Sequence, residues 1–342
     1  MFPFSRSRKK THGQVAIVFT TDGIAYVRME NIAGQTPSCQ ALHFSPITSE
    51  ADIPSVLKQI IQQFNLAGSE IVTTLLDNEA SLNMLEKPVV DDTELVQAMQ
   101  WRVKDMLSYS LDDAVLDVFE IPGQQERGRT PLVYAVAAHR DVLKRYVNYF
   151  EGLDLQINSI DIPELVMRNV AALLPEDKNG VALLKLDANQ GVITLTQDKS
   201  LYLARNLDTG YNSLANSKET SILGEPEQGL SLESESGFTP DQLRALDNVV
   251  LEVQRSLDYY ESHFAKPAIN SLVLSPTPYE IPGMVSYLAS ALGVQVRMMD
   301  LNSMIDLAEP LDDAMQAKLF LAIGAALREE SSVVSNNKSK AA

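Results

Sequence analysis

Cysteine is nearly absent from this sequence: among 342 residues there is one, Cys39. An internal disulfide is excluded, and the composition suits a reducing compartment. The four histidines, His12, His43, His139 and His263, are scattered, and no spacing of His, Cys and carboxylates matches a metal site. Positive charge is also scarce, with 28 Lys and Arg against 45 Asp and Glu, a net charge of −17. That balance leaves no basic face for phosphate contacts and argues against a nucleic-acid partner. The longest apolar run, Leu319 to Leu327, is far below the ~20 residues needed to span a bilayer. No signal peptide is read at the start, because Met1 to Phe4 is too short for an apolar segment and precedes the charges. A cytoplasmic location is the expectation. Neither a Gly-x-Ser-x-Gly elbow nor a Walker loop occurs. The paired carboxylates Asp91-Asp92, Asp112-Asp113 and Asp312-Asp313 stand at expected helix starts or turns, where capping explains them.

What is present follows clear hydrophobic periods, over a length that accommodates about two domains. The plainest stretch runs from Leu243 to Met298. Leu246, Val249, Val253, Leu257, Tyr260 and Phe264 recur at helical spacing, and Pro267 ends that helix. Ser271 to Leu274 is a short buried strand. A second helix carries Met284, Val285, Leu288 and Leu292 up to Gly293, and Val294 to Met298 is the next strand. Earlier, Gln14 to Phe19 and Ile24 to Met29 flank Thr20-Thr-Asp-Gly23 as a β-hairpin, followed by a helix from about Ile53 to Phe64.

Between about Ser69 and Ile160, a pattern of strand, helix, two strands, helix and strand suggests an inserted domain in which Ile71 to Leu76 pairs with Asn83 to Leu85. Trp101, the only tryptophan, points away from the apolar stripe of its helix. A partner contact and packing against a neighbouring subdomain both stay open for it. Pro163 to Leu174 is a helix. Val181 to Leu186, Gly191 to Thr196 and Ser200 to Leu207 are strands of a second hairpin domain, and about Asp312 to Arg328 is the final helix. Residues 211–240 lose all periodicity and gather glutamates, which reads as a flexible acidic loop or a docking segment. Phe2 and Phe4 beside Arg6, Arg8, Lys9 and Lys10 make residues 1–12 a basic tail, either disordered or in weak contact with anionic lipid through residues 2–10. Residues 331–342 are a polar tail, expected to be disordered.

Two hairpin-led halves, an insertion in the first and a last helix returning to it resemble the actin-like fold. The run Glu252 to Tyr260, Glu-Val-Gln-Arg-Ser-Leu-Asp-Tyr-Tyr, resembles the Glu-Ile-Gln-Arg-Ser-Leu-Asp-Phe-Tyr helix of the PilM family of type IV pilus assembly proteins. Thr93 to Val118, with Glu94, Ala98, Trp101, Leu111 and Asp117, is similar to that family's Glu-rich helix and following strand. Ile281-Pro-Gly-Met284 and Ala322 to Arg328 resemble its Leu-Pro-Gly-Leu turn and last helix. Within the family the resemblance is to members serving mannose-sensitive haemagglutinin (MSHA) pili.

The resemblance implies an actin-like (RNase H-like) α/β fold of two subdomains with a small inserted α+β domain of SHS2-like kind. The first subdomain would cover 13–68, continued at 161–176 and 311–330; the insertion, 69–160; the second subdomain, 177–310. It also implies a cytoplasmic component of the inner-membrane pilus platform. Such proteins bind ATP with Mg, hold the cytoplasmic tail of a bitopic membrane protein (PilN-like in general, MshJ-like here), and connect with the pilus assembly ATPase.

An actin-like nucleotide site needs a strand-end Asp and a Gly-rich turn in each hairpin, and a Gly-rich loop against adenine, because a side chain would block the ligand. Aligned on the flanking strands, this chain has Val18 and Thr20 at the first Asp and Gly, and Leu184 and Leu186 at the second pair. Pro276-Thr277-Pro278 occupies the adenine-loop glycines, where proline removes an N–H donor. The Gly-Gly after the second hairpin is reduced to Thr209-Gly210. The polar turns Thr20 to Gly23, with Asp22, and Asp187 to Gly191, with Asn189, retain groups able to bind an anion, although Asp and Asn are also ordinary turn formers. The expectation is therefore a non-enzymatic adaptor with a degenerate nucleotide site, no catalytic residue and no metal ligand. The groove between the inserted domain and the first hairpin domain is the expected receptor for the partner's tail, by strand addition or by side-chain pockets. The alternative is an ATP-binding switch or weak ATPase acting through the altered turns.

Overall fold

The alternation of apolar and polar residues becomes three sheets. The computed structural model describes residues 13–32, 34–124, 130–215 and 237–329. The first sheet is laid down by β1 (Gln14–Phe19), β2 (Gly23–Glu30) and β3 (Ser38–Pro46), then α1 (Ile53–Gln63) and β4 (Glu70–Thr74). A smaller unit follows: β5 (Ala80–Glu86), α2 (Leu95–Val103), β6 (Ala114–Glu120), β7 (Leu132–His139) and α3 (Arg140–Phe150). The chain returns through β8 (Gln156–Asp161) and α4 (Pro163–Ala171). The second half comprises β9 (Val181–Leu186), β10 (Gly191–Gln197), β11 (Ser200–Leu207), α5 (Pro240–Phe264), β12 (Ser271–Leu274), α6 (Met284–Leu292) and β13 (Gln295–Met298). The last helix is α7 (Asp313–Ala326).

The two large sheets repeat one topology. Their orders are β3-β2-β1-β4-β8 and β11-β10-β9-β12-β13, each an antiparallel meander followed by two parallel strands. Between them, α4 and α7 fill a shared core. Ala16, Val18 and Val27 of the first sheet and Val181, Leu183 and Val273 of the second close on Val166, Val170, Leu319 and Ile323. The other face of the first sheet buries Ile17, Phe19 and Tyr26 against α1 and α3, and the other face of the second buries Leu184, Ile193 and Leu203 against α5 and α6. The third sheet, β5-β7-β6, packs one face on α2 through Leu95, Met99 and Val103.

Several expectations change. Ile71 to Leu76 does not pair with Asn83 to Leu85: β4 lies parallel between β1 and β8, and β5 pairs with β7. Ile71 and Val72 are buried on both faces, as a central strand requires, whereas β5 is only half-buried. Strands at both ends of the stretch read as an insertion over 69–160 thus belong to the first sheet. Strand β3, whose residues alternate only weakly, adds a third strand to the first hairpin. Trp101 is 69% exposed, and among the described residues it packs against no neighbouring subdomain; Lys104 lies over its ring, at 5.8 Å. Within the stretch read as structureless, Tyr211–Ser213 forms a 3-10 turn and Phe238 is buried. Thr239 caps α5 in a reciprocal box with Gln242. The basic tail 1–12, residues 216–236 of the acidic stretch and the tail 331–342 lie outside the described residues. Among the described residues no helix is long and apolar enough to cross a membrane, and no group of three His, Cys, Asp or Glu is poised for a metal.

Candidate functional site

Two concavities bear on the expected site residues: a cleft between the halves, and a groove between the first sheet and the inserted unit. In the cleft, the β1–β2 turn closes on itself. Thr20 N donates to Gly23 O at 2.8 Å, and Thr20 Oγ1 to Asp22 Oδ1 at 2.9 Å. Val18 is fully buried in the shared core, and Asp22 is exposed, 3.9 Å from Lys318 Nζ. Gly23 serves packing: a Cβ there would sit 2.3 Å from the Phe44 ring.

The β9–β10 turn corrects the alignment of the second hairpin. Leu184 and Leu186, expected at the metal-facing positions, share with Ala182 the face turned to α5 and α6. Strand alternation puts Val181, Leu183 and then Lys185 on the cleft face. Lys185 Nζ is ion-paired to Asp77 Oδ2 at 3.2 Å and to Asp187 Oδ2. Burial pushes the Asp187 carboxyl up, against the pull of Lys185. Asp187 N donates to Gln190 O at 2.8 Å, and Asn189 Oδ1 accepts from Asn212 Nδ2 at 3.3 Å. The strap after β11 covers this turn, with Tyr211 N on Asp187 O at 2.8 Å and Asn212 N on Ala188 O at 3.0 Å. Gly210 allows that approach, since a Cβ would lie 2.4 Å from Asp187 O, and Gly191 opens β10 against Leu186.

The third edge is the loop after β12. Pro276 and Thr277 are buried and line a cavity of about 280 Å³ with Ile281, Met284, Met298 and Met299. Thr277 Oγ1 donates to Tyr279 O at 2.9 Å, which leaves Pro278 inside a self-satisfied turn. Tyr279 meets Tyr211 edge-on at 5.4 Å. Burial raises the Tyr211 phenol, and the carboxylates of Asp187 and Asp22 raise it further, so both hairpin turns turn negative charge toward this ring. A phosphate entering here meets Asp22, Asp77 and Asp187, while the cation facing the β9–β10 turn, Lys185, is already paired. One amide of each turn, Thr20 N and Asp187 N, is spent on Gly23 O and Gln190 O.

The groove is walled by aromatics. Phe19 at the end of β1 touches Tyr146 and Tyr149 of α3, with ring centroids at 5.5 and 5.0 Å. Together with Ile47, Ile53 and Leu76 they line a hollow of about 320 Å³. Glu79 is its polar hub, accepting from Leu76 N at 2.9 Å, from Tyr146 Oη at 2.6 Å and from the Arg145 guanidinium. Tyr149 Oη donates to Glu50, and burial together with that carboxylate pushes its phenol up to about 12. Neither Lys185 nor this aromatic wall was among the expected site residues. Their signals are legible in retrospect: a lysine interrupting the apolar strand Val-Ala-Leu-Leu-Lys-Leu, and Tyr146, Tyr149 and Phe150 at i, i+3 and i+4 of an amphipathic helix.

Residues 14–330 match the family described as type IV pilus assembly protein PilM. The chain belongs to the PilM family. Its fold is actin-like, as the duplicated sheet order indicates. Among solved structures, this PilM-family chain is similar to one titled a PilM-PilN type IV pilus biogenesis complex, with a TM-score of 0.69, 17% identity, 92% of this chain covered and 98% of the other. A Bacteroides thetaiotaomicron protein described as having an actin-like ATPase fold and unknown function matches at a TM-score of 0.46 and 10% identity over 93% and 98% of the chains. Ethanolamine utilization protein EutJ from Carboxydothermus hydrogenoformans matches at 0.45 and 12% over 93% and 90%. No curated protein matches the chain.

Proposed function

We propose that this PilM-family protein is a non-enzymatic adaptor at the cytoplasmic face of the inner membrane. It holds the cytoplasmic tail of a PilN-like membrane protein in the groove between the first sheet and α3. By sequence resemblance the pilus it serves is of the MSHA kind, the partner MshJ-like, and the assembly ATPase a further contact. The observation that carries the reading is the groove itself: Phe19, Tyr146 and Tyr149 offer apolar walls, and Glu50, Glu79 and Arg145 offer charged fixing points. Because side chains rather than a free strand edge form the walls, pockets for alternate side chains of an extended tail fit better than strand addition. The two acids against one arginine favour a basic tail, attracted also by the net charge of −17.

The cleft supports the non-enzymatic half of the reading. One amide of each turn, Thr20 N and Asp187 N, is internally bonded, the loop prolines lack donors, and Lys185 is occupied by two carboxylates. Isothermal titration tests both halves. Saturable heat with the tail peptide, weakened about tenfold or more by Tyr149→Ala, is expected, as is no heat with millimolar Mg-ATP. Micromolar ATP binding would overturn the non-nucleotide reading in favour of an ATP-driven switch, and a silent peptide titration would overturn the adaptor.

A further inference from the structure

Lys185 is held between carboxylates of both halves. The Lys185 side chain is 9% exposed, Asp77 20% and Asp187 33%. Asp77 lies in the segment between β4 of the first sheet and β5 of the inserted unit, whereas Lys185 and Asp187 end β9 and begin its turn in the second sheet. The next residue along repeats the contact: Asn78 Nδ2 donates to Gln190 Oε1 at 2.8 Å. Two successive residues of the first half therefore grip the β9–β10 turn of the second. The turn is anchored from behind by the strap amides of Tyr211 and Asn212. Glu164, on α4, shares a small hollow with Asp77 and Asn78, so the lysine is the balancing charge for a locally acidic junction.

We infer that Lys185 is a built-in cation that latches the two halves of the chain together across the cleft, bridging Asp77 and Asp187. The ammonium supplies, on a tether, the positive charge that two neighbouring shielded carboxylates would otherwise require from solution. Its tether confines that charge to the junction, so closure needs no effector concentration. Removing the charge leaves Asp77 and Asp187 facing each other and the Asn78–Gln190 bond as the remaining polar tie between those segments. The latch rests on the reading of the cleft as closed to nucleotide, and it is independent of the tail groove.

Hydrogen exchange of the full-length protein tests it. In Lys185→Met, which keeps the stem and deletes the charge, the amides of Asp187, Tyr211 and Asn212 should exchange about tenfold faster or more, the loss of a shielded pair being worth at least that factor. Amides of β6 and β7 should keep their rates, and Lys185→Arg should restore protection at the turn. Should Lys185→Met fail to fold, Asp77→Asn removes one of the two ties and should loosen the same amides. Unchanged rates in both variants would overturn the latch. So would a tenfold slowing of these amides in the wild type by Mg-ATP, since the cleft would then be open until filled. Titrating the tail peptide into the same samples keeps the two readings apart: loss of tail binding in the wild type sinks the adaptor and leaves the latch standing, and unchanged exchange does the reverse.

Discussion

Replacing Glu164 with glutamine should make the protein more stable at pH 8, and the gain should vanish in acid. Glu164 is the second residue of α4, half-buried where that helix meets Asp77 and Lys185. Burial is the largest cause that lifts its carboxyl from the ordinary 4.5 to about 7; the Asp77 charge adds to the rise and Lys185 opposes it. A carboxyl whose affinity for the proton is higher in the folded state contributes its full stability below the unfolded value near 4.5, and loses it as pH rises through about 7. Each tenfold in proton affinity is worth about 1.4 kcal/mol, so the charged glutamate costs the native state up to about 3 kcal/mol by pH 8. Glutamine keeps the shape and never ionises. Urea denaturation of both proteins at pH 4, 6 and 8 reads the difference, with near equality at pH 4, an advantage for Glu164→Gln of about 2 kcal/mol by pH 6, and a plateau above pH 7. A variant that is less stable at pH 8, or a difference independent of pH, would refute the reasoning and mean that the carboxylate is held charged by Lys185.

Other expectations concern packing and the groove. Glu79→Ala removes the acceptor for Leu76 N, Tyr146 Oη and Arg145, and should cost about 2–4 kcal/mol, against about 1 kcal/mol for Tyr146→Phe; equal costs by urea denaturation would show that Glu79 is not the hub. Gly210→Ala places a Cβ 2.4 Å from Asp187 O and 2.5 Å from Asn189 N, backbone atoms that cannot rotate away. It should lower stability by about 2 kcal/mol, and an unchanged denaturation midpoint would mean the strap does not rest on the turn. Thr239→Ala removes one half of the α5 capping box and should cost about 1 kcal/mol in the same assay, with Thr239→Ser nearly neutral.

The long elements were legible because their own periods declare them. The helix around Val249, Val253 and Tyr260 buries that stripe and α6 ends at Gly293, as read from the sequence; the structure adds that Gly293 is left-handed. Strand order was less legible. Ile71 to Leu76 is apolar on both faces, which marks a central strand, but nothing local says which neighbours it has; that depended on β8 returning some eighty residues later to pair with it. The site misalignment has a similar cause. A one-residue slip exchanges the two faces of a strand, and in a run as apolar as Val181 to Leu186 flanking strands alone do not fix the phase. The charged Lys185 was the one residue in β9 that marked which face meets the cleft.

From its sequence alone this protein had its broad class, its two hairpin-led halves, its family and the prolines of the loop after β12. Those depend on residue identity and on periods of a few residues, which local sterics and hydrophobicity enforce. Tertiary structure decided which residues face one another across the halves. Asp77 and Asn78 meet their partners 108 and 112 positions away, and the groove joins the end of β1 to a helix of the inserted unit. Such encounters are set by how α4 and α7 space the two sheets, a consequence of the whole core rather than of any stretch of chain.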